Sequence, residues 1–175
     1  MRENRTESAP PAEPAEAGTI KAAETVQTVR VSAGGGYDVR IGEGLLFEAG
    51  SAAKEVLKAD RIAIFTDSAV DGLYADTVEK SCRRAGYETC RFVFAAGEGS
   101  KNMETVMEFV EFLSRHHLTR SDAVIALGGG VAGDMGGFAA SIYLRGIDFI
   151  QIPTTLLAAV DSSVGGKTGI NISAG

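Results

Sequence analysis

The sequence predicts an α/β domain in which helices flank a largely parallel β-sheet. Apolar segments of strand length alternate with segments of helical periodicity along most of the chain, as expected for parallel strands joined by crossover helices. A glycine-rich turn also joins one of these strands directly to a helix. With 175 residues, 45% of them hydrophobic and 23% charged, the chain can form one domain with a substantial core.

A β-hairpin is expected before this sheet, with strands at 26–31 and 37–41 joined by Gly34-Gly35-Gly36. The 25 residues that precede it hold all but one of the four prolines and no aromatic residue. Such a segment buries too little apolar surface to offset its ordering entropy. We therefore expect a disordered tail at 1–25 and an ordered domain at 26–175.

Strands and helices are then expected in alternation. The clearest helix has one apolar face formed at i, i+3, i+4 and i+7 spacing, and it is expected to end at His116-His117; the face consists of Met103, Val106, Met107, Val110 and Leu113. The other helices are predicted at 45–57, 68–85 and 132–143. Strands are predicted at 61–66, 90–95, 123–127 and 147–152.

Charge and cysteine content narrow the functional classes. A net charge of −6 and a pI near 5.0 argue against nucleic acid as a partner, because binding a phosphate backbone needs a basic surface. Cys82 and Cys90 are too few for a disulfide framework. The N-terminal residues lack the apolar stretch of a signal peptide, and no run of 18 apolar residues is present, so we expect a cytoplasmic protein without a membrane contact.

The glycine-rich turn has the spacing of a phosphate-binding motif, Gly128-x-Gly130-x-x-Gly133. Without side chains, the backbone can approach a pyrophosphate whose charge is met by N–H groups at the start of a helix, as in Rossmann-like domains. Tight packing of strand against helix, with no ligand, explains the spacing equally simply. The acidic residue expected at the end of the next strand is replaced by Pro153, so the common dinucleotide arrangement is not followed. Asp134 directly follows the last glycine, where it suits either a hydroxyl acceptor or the start of a helix.

A long polar run, 153–171, follows the last predicted strand. It combines hydroxyls, Asp161, Lys167 and three glycines, which is the composition of a polar ligand site at the carboxyl end of a strand. Gly166-Lys167-Thr168 matches the end of a Walker A loop. That motif also requires a glycine six residues before the lysine, and this chain has Asp161 at that position. Nucleotide hydrolysis is therefore not expected.

The chain resembles the NAD-binding N-terminal part of 3-dehydroquinate synthases, which belong to the sugar-phosphate cyclase superfamily. The resemblance extends from Gly128-Gly129-Gly130-Val131-Ala132-Gly133-Asp134 through Arg145-Gly146 to the run ending at Asn171, and it includes 97–102 and Thr66-Asp67. Ala95 stands where the family often has proline. The resemblance implies conversion of 3-deoxy-D-arabino-heptulosonate 7-phosphate to 3-dehydroquinate and phosphate, a lyase step of the shikimate pathway that leads to chorismate and the aromatic amino acids.

The same resemblance implies the site residues. Asp67, Glu98 and Lys101 would contact the adenosine and ribose part of NAD. The pyrophosphate and nicotinamide-ribose part would be lined by Gly129, Gly130, Val131 and Asp134, with hydroxyl contacts from Thr154 and Thr155. Arg145, Asp161 and Lys167 would face the substrate, a seven-carbon keto-acid phosphate. The alternative for these last three residues is a set of solvated or capping charges.

A divalent metal, zinc or cobalt, is expected only in the complete enzyme. A catalytic zinc site needs about three protein ligands, whereas the only histidines, His116 and His117, are adjacent at a predicted helix end. No metal ligand is therefore assigned, and we expect the chain alone to be inactive, with an apolar surface that would normally meet a second domain. Another cyclase, a polyol dehydrogenase or a non-catalytic NAD-binding remnant stay open as alternatives, as does the oligomeric state, with a homodimer as one option.

Overall fold

The computed structural model describes residues 26–32 and 35–173, and the predicted tail at 1–25 lies outside these residues. The described chain is an α/β domain, which confirms the predicted fold class. Among the described residues, six strands occur, at Gln27–Val31 (β1), Tyr37–Ile41 (β2), Arg61–Asp67 (β3), Glu88–Phe94 (β4), Ala123–Gly128 (β5) and Asp148–Pro153 (β6). The helices are Ala49–Val56 (α1), Ser68–Val70 (α2), Asp76–Arg84 (α3), Met103–Arg115 (α4) and Gly130–Ile142 (α5).

Short helical turns complete the structure. Residues Leu45–Glu48, Glu98–Ser100 and Tyr143–Arg145 form 3₁₀ turns, and Asp71–Ala75 and Ala158–Ser162 are π-helical. The π-helical segment Asp71–Ala75 links α2 to α3, so the helix predicted at 68–85 is present with one wide turn inside it.

Strands β3 to β6 form one parallel sheet in the order β4-β3-β5-β6. The chain leaves β3 toward β4 on one side and later returns to pair β5 with the other side of β3. This reversal of direction is a topological switch point, where open α/β sheets leave a crevice at the carboxyl ends of the strands. The hairpin β1–β2 is antiparallel as expected, but it forms a separate sheet and does not extend the parallel one.

The sheet is covered by an apolar layer on each face. On one face, Ala63 and Phe65 of β3 pack against α4 and α5; on the other, Ile62 and Ile64 pack toward α1 and α3. The first layer contains an aromatic cluster in which the ring of Phe65 lies 4.5 Å from that of Phe109 and 4.7 Å from that of Phe94. Strands buried on both faces explain why 61–66 and 123–127 are continuously apolar.

The prediction of which residues form the apolar face of α4 is partly wrong. Val106 and Leu113 are buried as expected, but Phe109 takes the central core position, while Met103 and Met107 remain 47% and 43% exposed. Phe109 is favoured because the aromatic side chain reaches the Phe65 cluster, which the periodicity alone does not indicate. Helix α5 begins two residues earlier than predicted because glycine N-caps it.

Asp122 organises the amino edge of the sheet. The side chain is 2% exposed and accepts hydrogen bonds from the backbone N–H groups of Thr119 (2.6 Å) and Arg61 (2.8 Å). Burial alone would raise the pKa of the Asp122 carboxyl, but these hydrogen bonds outweigh it and hold the pKa below its usual value. The carboxylate therefore stabilises the junction between β3 and β5 as long as it is ionised.

Replacing Asp122 with alanine is expected to lower the free energy of unfolding by about 2–4 kcal/mol, because buried N–H groups lose their acceptor. Because the folded-state pKa lies below the unfolded value of about 3.9, this stabilisation should be complete above that value and decline as the pH falls toward the folded pKa. Denaturant unfolding of both proteins from pH 7 to pH 3 measures it. The exposed Asp148→Ala variant is the control, and an equal loss in both variants would contradict the assignment.

Within the part of the chain that the structure describes, no helix is both long and apolar enough to cross a membrane.

Candidate functional site

The crevice at the switch point lies between the carboxyl ends of β3 and β5. Strand β3 ends at Asp67 and β5 ends at Gly128, and a Cβ placed on Gly128 would lie 3.4 Å from Asp67 Oδ2. Asp67 Oδ1 accepts from the N–H groups of Ala69 and Val70, which fixes the carboxylate at the start of α2. Asp67 thus places an acidic side chain at the end of β3, the strand next to β5, where the sequence has none at the end of β6.

The glycine turn brings the start of α5 to the edge of this crevice. Gly128 has φ 158°, and Gly129 N-caps the 13-residue helix, whose first N–H groups have no partner within the helix. Side chains would fill the approach to the turn, since a Cβ on Gly129 would meet Thr155 at 3.3 Å and one on Gly130 would meet Ser162 at 3.3 Å. The turn therefore has the geometry of a helix N-terminus that can receive an anionic group.

The third glycine of the motif serves packing. A Cβ on Gly133 would lie 2.7 Å from Gln151 Nε2, and one on Gly136 would lie 2.9 Å from the Cβ of Ala126. Helix α5 therefore lies directly on β5 and β6, as the alternative interpretation of the spacing required. The packing glycines follow the turn that opens into the crevice, so the close packing of α5 involves a different part of the motif from the turn itself.

Lys101 and Asp134 form an ion pair beside the turn. Lys101 Nζ lies 2.6 Å from Asp134 Oδ2, and both side chains are 19% exposed. Asp134 is the fifth residue of α5 and not its first, so the helix-start alternative is wrong. The adjacent cation offsets the carboxylate, which removes the repulsion that an isolated Asp134 would exert on a nearby pyrophosphate.

The loop that carries Glu98 and Lys101 is held by several hydrogen bonds. Ser100 Oγ donates to the carbonyl of Ala95 at 2.6 Å, and the N–H of Ala96 donates to Ser68 Oγ at 3.1 Å. Asn102 then N-caps α4 by accepting from the N–H of Thr105. Ala95, where the family often has proline, is thus anchored by a hydrogen bond to its carbonyl.

Thr154 and Thr155 follow β6 directly. The N–H of Thr154 donates to the carbonyl of Gly128 at 2.9 Å, which ties this segment to the glycine turn. The hydroxyl of Thr154 is buried without a hydrogen-bond partner among the described residues, and such groups are rare in folded proteins. Thr155 Oγ1 accepts from the N–H of Ala158, so its hydroxyl caps the following turn.

The three residues expected to face the substrate do not lie together. Asp161 is in the turn Ala158–Ser162, which follows β6 at the carboxyl edge of the sheet, and Lys167 is exposed further along the chain, next to Thr168, which lies against Gly137 of α5. Arg145 lies beyond the end of α5, just before β6 begins, and is therefore at the amino edge. The six residues of β6 separate these edges by roughly 20 Å at ~3.3 Å per residue, so one copy of the chain does not bring Arg145 to Asp161.

The exposed turn after β6 carries several apolar side chains. Leu156, Leu157 and Val160 are 80%, 71% and 69% exposed. These residues interrupt the polar run in sequence, yet they do not enter the core of the described residues. The expected apolar surface is therefore present beside Asp161, and a patch of this kind commonly marks a contact with another protein part.

The hairpin contacts the glycine loop of the same run. The N–H of Gly165 donates to the Tyr37 hydroxyl at 2.8 Å, and Gly165 and Gly166 have φ angles of 110° and 74°, a backbone conformation that favours glycine. Tyr37 thereby ties the segment before Lys167 to β2. The sequence gives no direct signal for this contact, because 128 residues separate its two partners.

Tyr37→Phe is expected to increase the hydrogen-exchange rate of the Gly165 amide by up to about tenfold, as a hydrogen bond worth about 1 kcal/mol is lost. The fold should be unaffected, since phenylalanine retains the ring. Residue-resolved exchange measures the effect, with Tyr74→Phe as the control. Unchanged protection of Gly165 in Tyr37→Phe would show that the contact is not formed in solution.

The described residues do not fit a catalytic metal. They contain no group of three His, Cys, Asp or Glu side chains that could hold an ion. His116 caps the end of α4, where its Nδ1 lies 2.9 Å from the carbonyl oxygen of Phe112, and it borders a recess with Arg61 and Glu88, the first residues of β3 and β4. Both histidines thus lie at the amino edge, opposite the glycine turn.

Solved structures define the class of the fold. The chain superposes on 2-deoxy-scyllo-inosose synthase complexed with carbaglucose-6-phosphate, NAD+ and Co2+ with a TM-score of 0.76 and 27% identity, covering 86% of this chain and 41% of that one. It also matches 2-epi-5-epi-valiolone synthase from Streptomyces hygroscopicus subsp. jinggangensis 5008, with NAD+ and Zn2+ bound, with a TM-score of 0.65 and 36% identity, covering 74% and 35%. The fold is that of the sugar-phosphate cyclases.

Sequence comparison narrows the class to one family. Residues 91–175 match the family model described as 3-dehydroquinate synthase N-terminal. Over 135 residues, 77% of the chain, it is 55% identical to the 3-dehydroquinate synthase of Streptococcus suis (strain 05ZYH33) and 52% identical to that of Enterococcus faecalis (strain ATCC 47077 / OG1RF). Residues 91–175 therefore match the N-terminal part of the 3-dehydroquinate synthase family, which confirms the predicted resemblance. The chain spans 38% of the length of either relative.

Proposed function

We propose that the chain binds NAD in the crevice between β3 and β5. The observation that carries this proposal is the meeting of Asp67 with the glycine turn at the start of α5. An acceptor for ribose hydroxyls and a set of N–H donors for a pyrophosphate then face one crevice. The partnerless hydroxyl of Thr154 and the ion pair of Lys101 with Asp134 border the same turn. NAD-bound cyclases of the same fold support the choice of ligand.

The activity that we propose for the whole protein is that of a 3-dehydroquinate synthase. The substrate would be 3-deoxy-D-arabino-heptulosonate 7-phosphate, and the products 3-dehydroquinate and inorganic phosphate. Bound NAD would supply reversible oxidation of one substrate alcohol, which acidifies the neighbouring C–H before phosphate leaves. The name shared by close relatives supports this assignment above another cyclase, a polyol dehydrogenase or a non-catalytic remnant.

The chain's own residues would orient the substrate. Lys167 can pair with an anionic group through charge-assisted hydrogen bonds, and Asp161 can accept from a sugar hydroxyl. Asp161 lies in the turn that follows β6, and Lys167 comes after it in the chain. Arg145 is not assigned to this site within one copy of the chain because it lies at the opposite edge.

A metal site is not built from the described residues, so no step is assigned to a metal here. Because the chain spans 38% of the relatives' length, we propose that turnover needs the remaining part of such an enzyme and that the chain alone is inactive. The exposed face at Leu156, Leu157 and Val160 is where that part would dock. A cytoplasmic location stays a prediction from sequence.

A chimera tests the proposed activity. The segment of the Streptococcus suis enzyme that matches this chain over 135 residues is replaced by the corresponding residues of this chain. We expect NAD-dependent release of phosphate from 3-deoxy-D-arabino-heptulosonate 7-phosphate, and loss of that release in the chimera carrying Lys167→Ala. Oxidation of glycerol, or turnover of a different sugar phosphate only, would support one of the alternative enzymes and contradict the proposal.

A further inference from the structure

Asn171 bridges the C-terminal segment to the loop that carries Glu98 and Lys101. Asn171 Nδ2 donates to Glu98 Oε1 at 2.9 Å, and the backbone N–H of Asn171 donates to the carbonyl of Lys101 at 2.9 Å. Two residues earlier, the N–H of Gly169 donates to the carbonyl of Asp134 at 3.3 Å. One short segment, 169–171, thus joins both structural elements that carry the ion pair of Lys101 and Asp134.

The bonds from Asn171 add to the hydrogen bonds that hold this loop from its other side. Glu98–Ser100 is a single 3₁₀ turn, preceded by Gly97 with φ 116° and containing Gly99, and no side chain would crowd either glycine. The two glycines add backbone freedom to the turn, which the hydrogen bonds of Ser100 and Asn102 limit only in part. The bond to the Lys101 carbonyl fixes the loop backbone, and the bond to Glu98 fixes the direction of its carboxylate.

A neutral amide suits this position better than a carboxylate or an ammonium. The NH2 group of Asn171 donates to Glu98 without neutralising it, so the carboxylate keeps its charge and its second oxygen for a ligand hydroxyl. A lysine here would form an ion pair with Glu98, and an aspartate would repel it. An asparagine therefore suits a role in orienting the Glu98 carboxylate, which goes beyond holding a surface loop in place.

We propose that Asn171 is a positioning residue for the adenosine and ribose side of the NAD site, acting through Glu98 and the backbone of Lys101. This inference rests on the proposed NAD-binding function. It assigns a role to a residue that lies outside the glycine motif and acts through its hydrogen bonds to Glu98 and Lys101.

Substitutions on the intact chain test the proposal by titration calorimetry with NAD. Asn171→Asp keeps the backbone hydrogen bond and places a carboxylate against Glu98, so we expect NAD affinity to fall roughly tenfold, the effect of about 1.4 kcal/mol. In a Glu98→Gln background the same substitution restores a hydrogen bond of reversed polarity, with the introduced amide donating to the introduced carboxylate. In the Glu98→Gln background we expect Asn171→Asp to lower the NAD affinity by less than about threefold. The smaller loss in this background is the coupling that residues in contact show.

The control is Ser173→Ala, an exposed change on the same segment, which should leave the affinity unchanged. Equal losses from Asn171→Asp in both backgrounds, or no loss in either, would overturn the inference. Ligand-free hydrogen exchange separates this failure from failure of the NAD site. Faster exchange at 97–102 in Asn171→Asp supports the positioning role even if no NAD binds, and unchanged exchange there overturns it.

Discussion

Gly129→Val is expected to reduce the affinity of the chain for NAD by about 100-fold or more, which corresponds to about 2.7 kcal/mol. Gly129 has φ −76°, which any residue can adopt, so the substitution introduces no backbone strain. Its Cβ would lie 3.3 Å from Thr155 Cγ2, so Thr155 would have to shift slightly, and we expect the two further methyl groups to extend into the space in front of the first N–H groups of α5. That space is where a pyrophosphate must approach the N–H groups of α5.

Calorimetry with NAD gives the affinity, and thermal unfolding shows whether the fold is retained. A melting temperature within a few degrees of the unsubstituted chain, about 1 kcal/mol in stability, keeps the loss attributable to the site. Gly72→Ala provides the matched control, because nothing lies within 4 Å of its added Cβ. Undiminished affinity in Gly129→Val would show that the ligand does not approach this turn.

Gly50→Ala is expected to destabilise the fold by about 2–4 kcal/mol, a large effect for a single methyl group. A Cβ on Gly50 would lie 2.2 Å from the carbonyl oxygen of Ser81 and 2.7 Å from the Cα of Cys82, so α1 and α3 would have to separate. The separation would also strain the hydrogen bond from the N–H of Gly50 to Ser81 Oγ. The higher helix propensity of alanine, up to about 1 kcal/mol, offsets only part of this cost.

Urea denaturation measures the loss, and Gly72→Ala is again the control. Gly72 lies in a helical segment with open space at its Cβ position, so we expect its substitution to change stability by less than about 1 kcal/mol. If both alanine variants unfold at the same urea concentration as the unsubstituted chain, the close contact of α1 with α3 is not a feature of the folded protein.

The strands and helices of the sheet could be predicted from the sequence because each follows a local pattern. The buried strands β3 and β5 are continuous apolar runs, and the glycine turn marks the start of α5. Details that depend on neighbours were not accessible in this way. Phe109, and not Met103 or Met107, lies in the core because its ring contacts that of Phe65. The separate position of the hairpin could not be predicted, because no local sequence pattern shows which strand edges pair with each other.

The candidate site was predictable where its residues follow a strand. Asp67 ends β3 and Thr154 follows β6, so the shared edge of a parallel sheet brings them near the glycine turn. Arg145 follows a helix, and helices in such domains return the chain to the amino edge, which explains why it lies apart from Asp161. Tyr37 and Asn171 act through contacts with residues 128 and 73 positions away in sequence, which no local pattern reports.

Hydrogen–deuterium exchange of the chain with and without saturating NAD tests the central claim most directly. The claim is that the crevice between β3 and β5 is the NAD site. We predict that NAD slows exchange at 97–102 and at 128–134, while the amino edge around Asp122 is unaffected. Absence of any protection by NAD, or protection confined to the amino edge near His116, would contradict the assignment of this crevice.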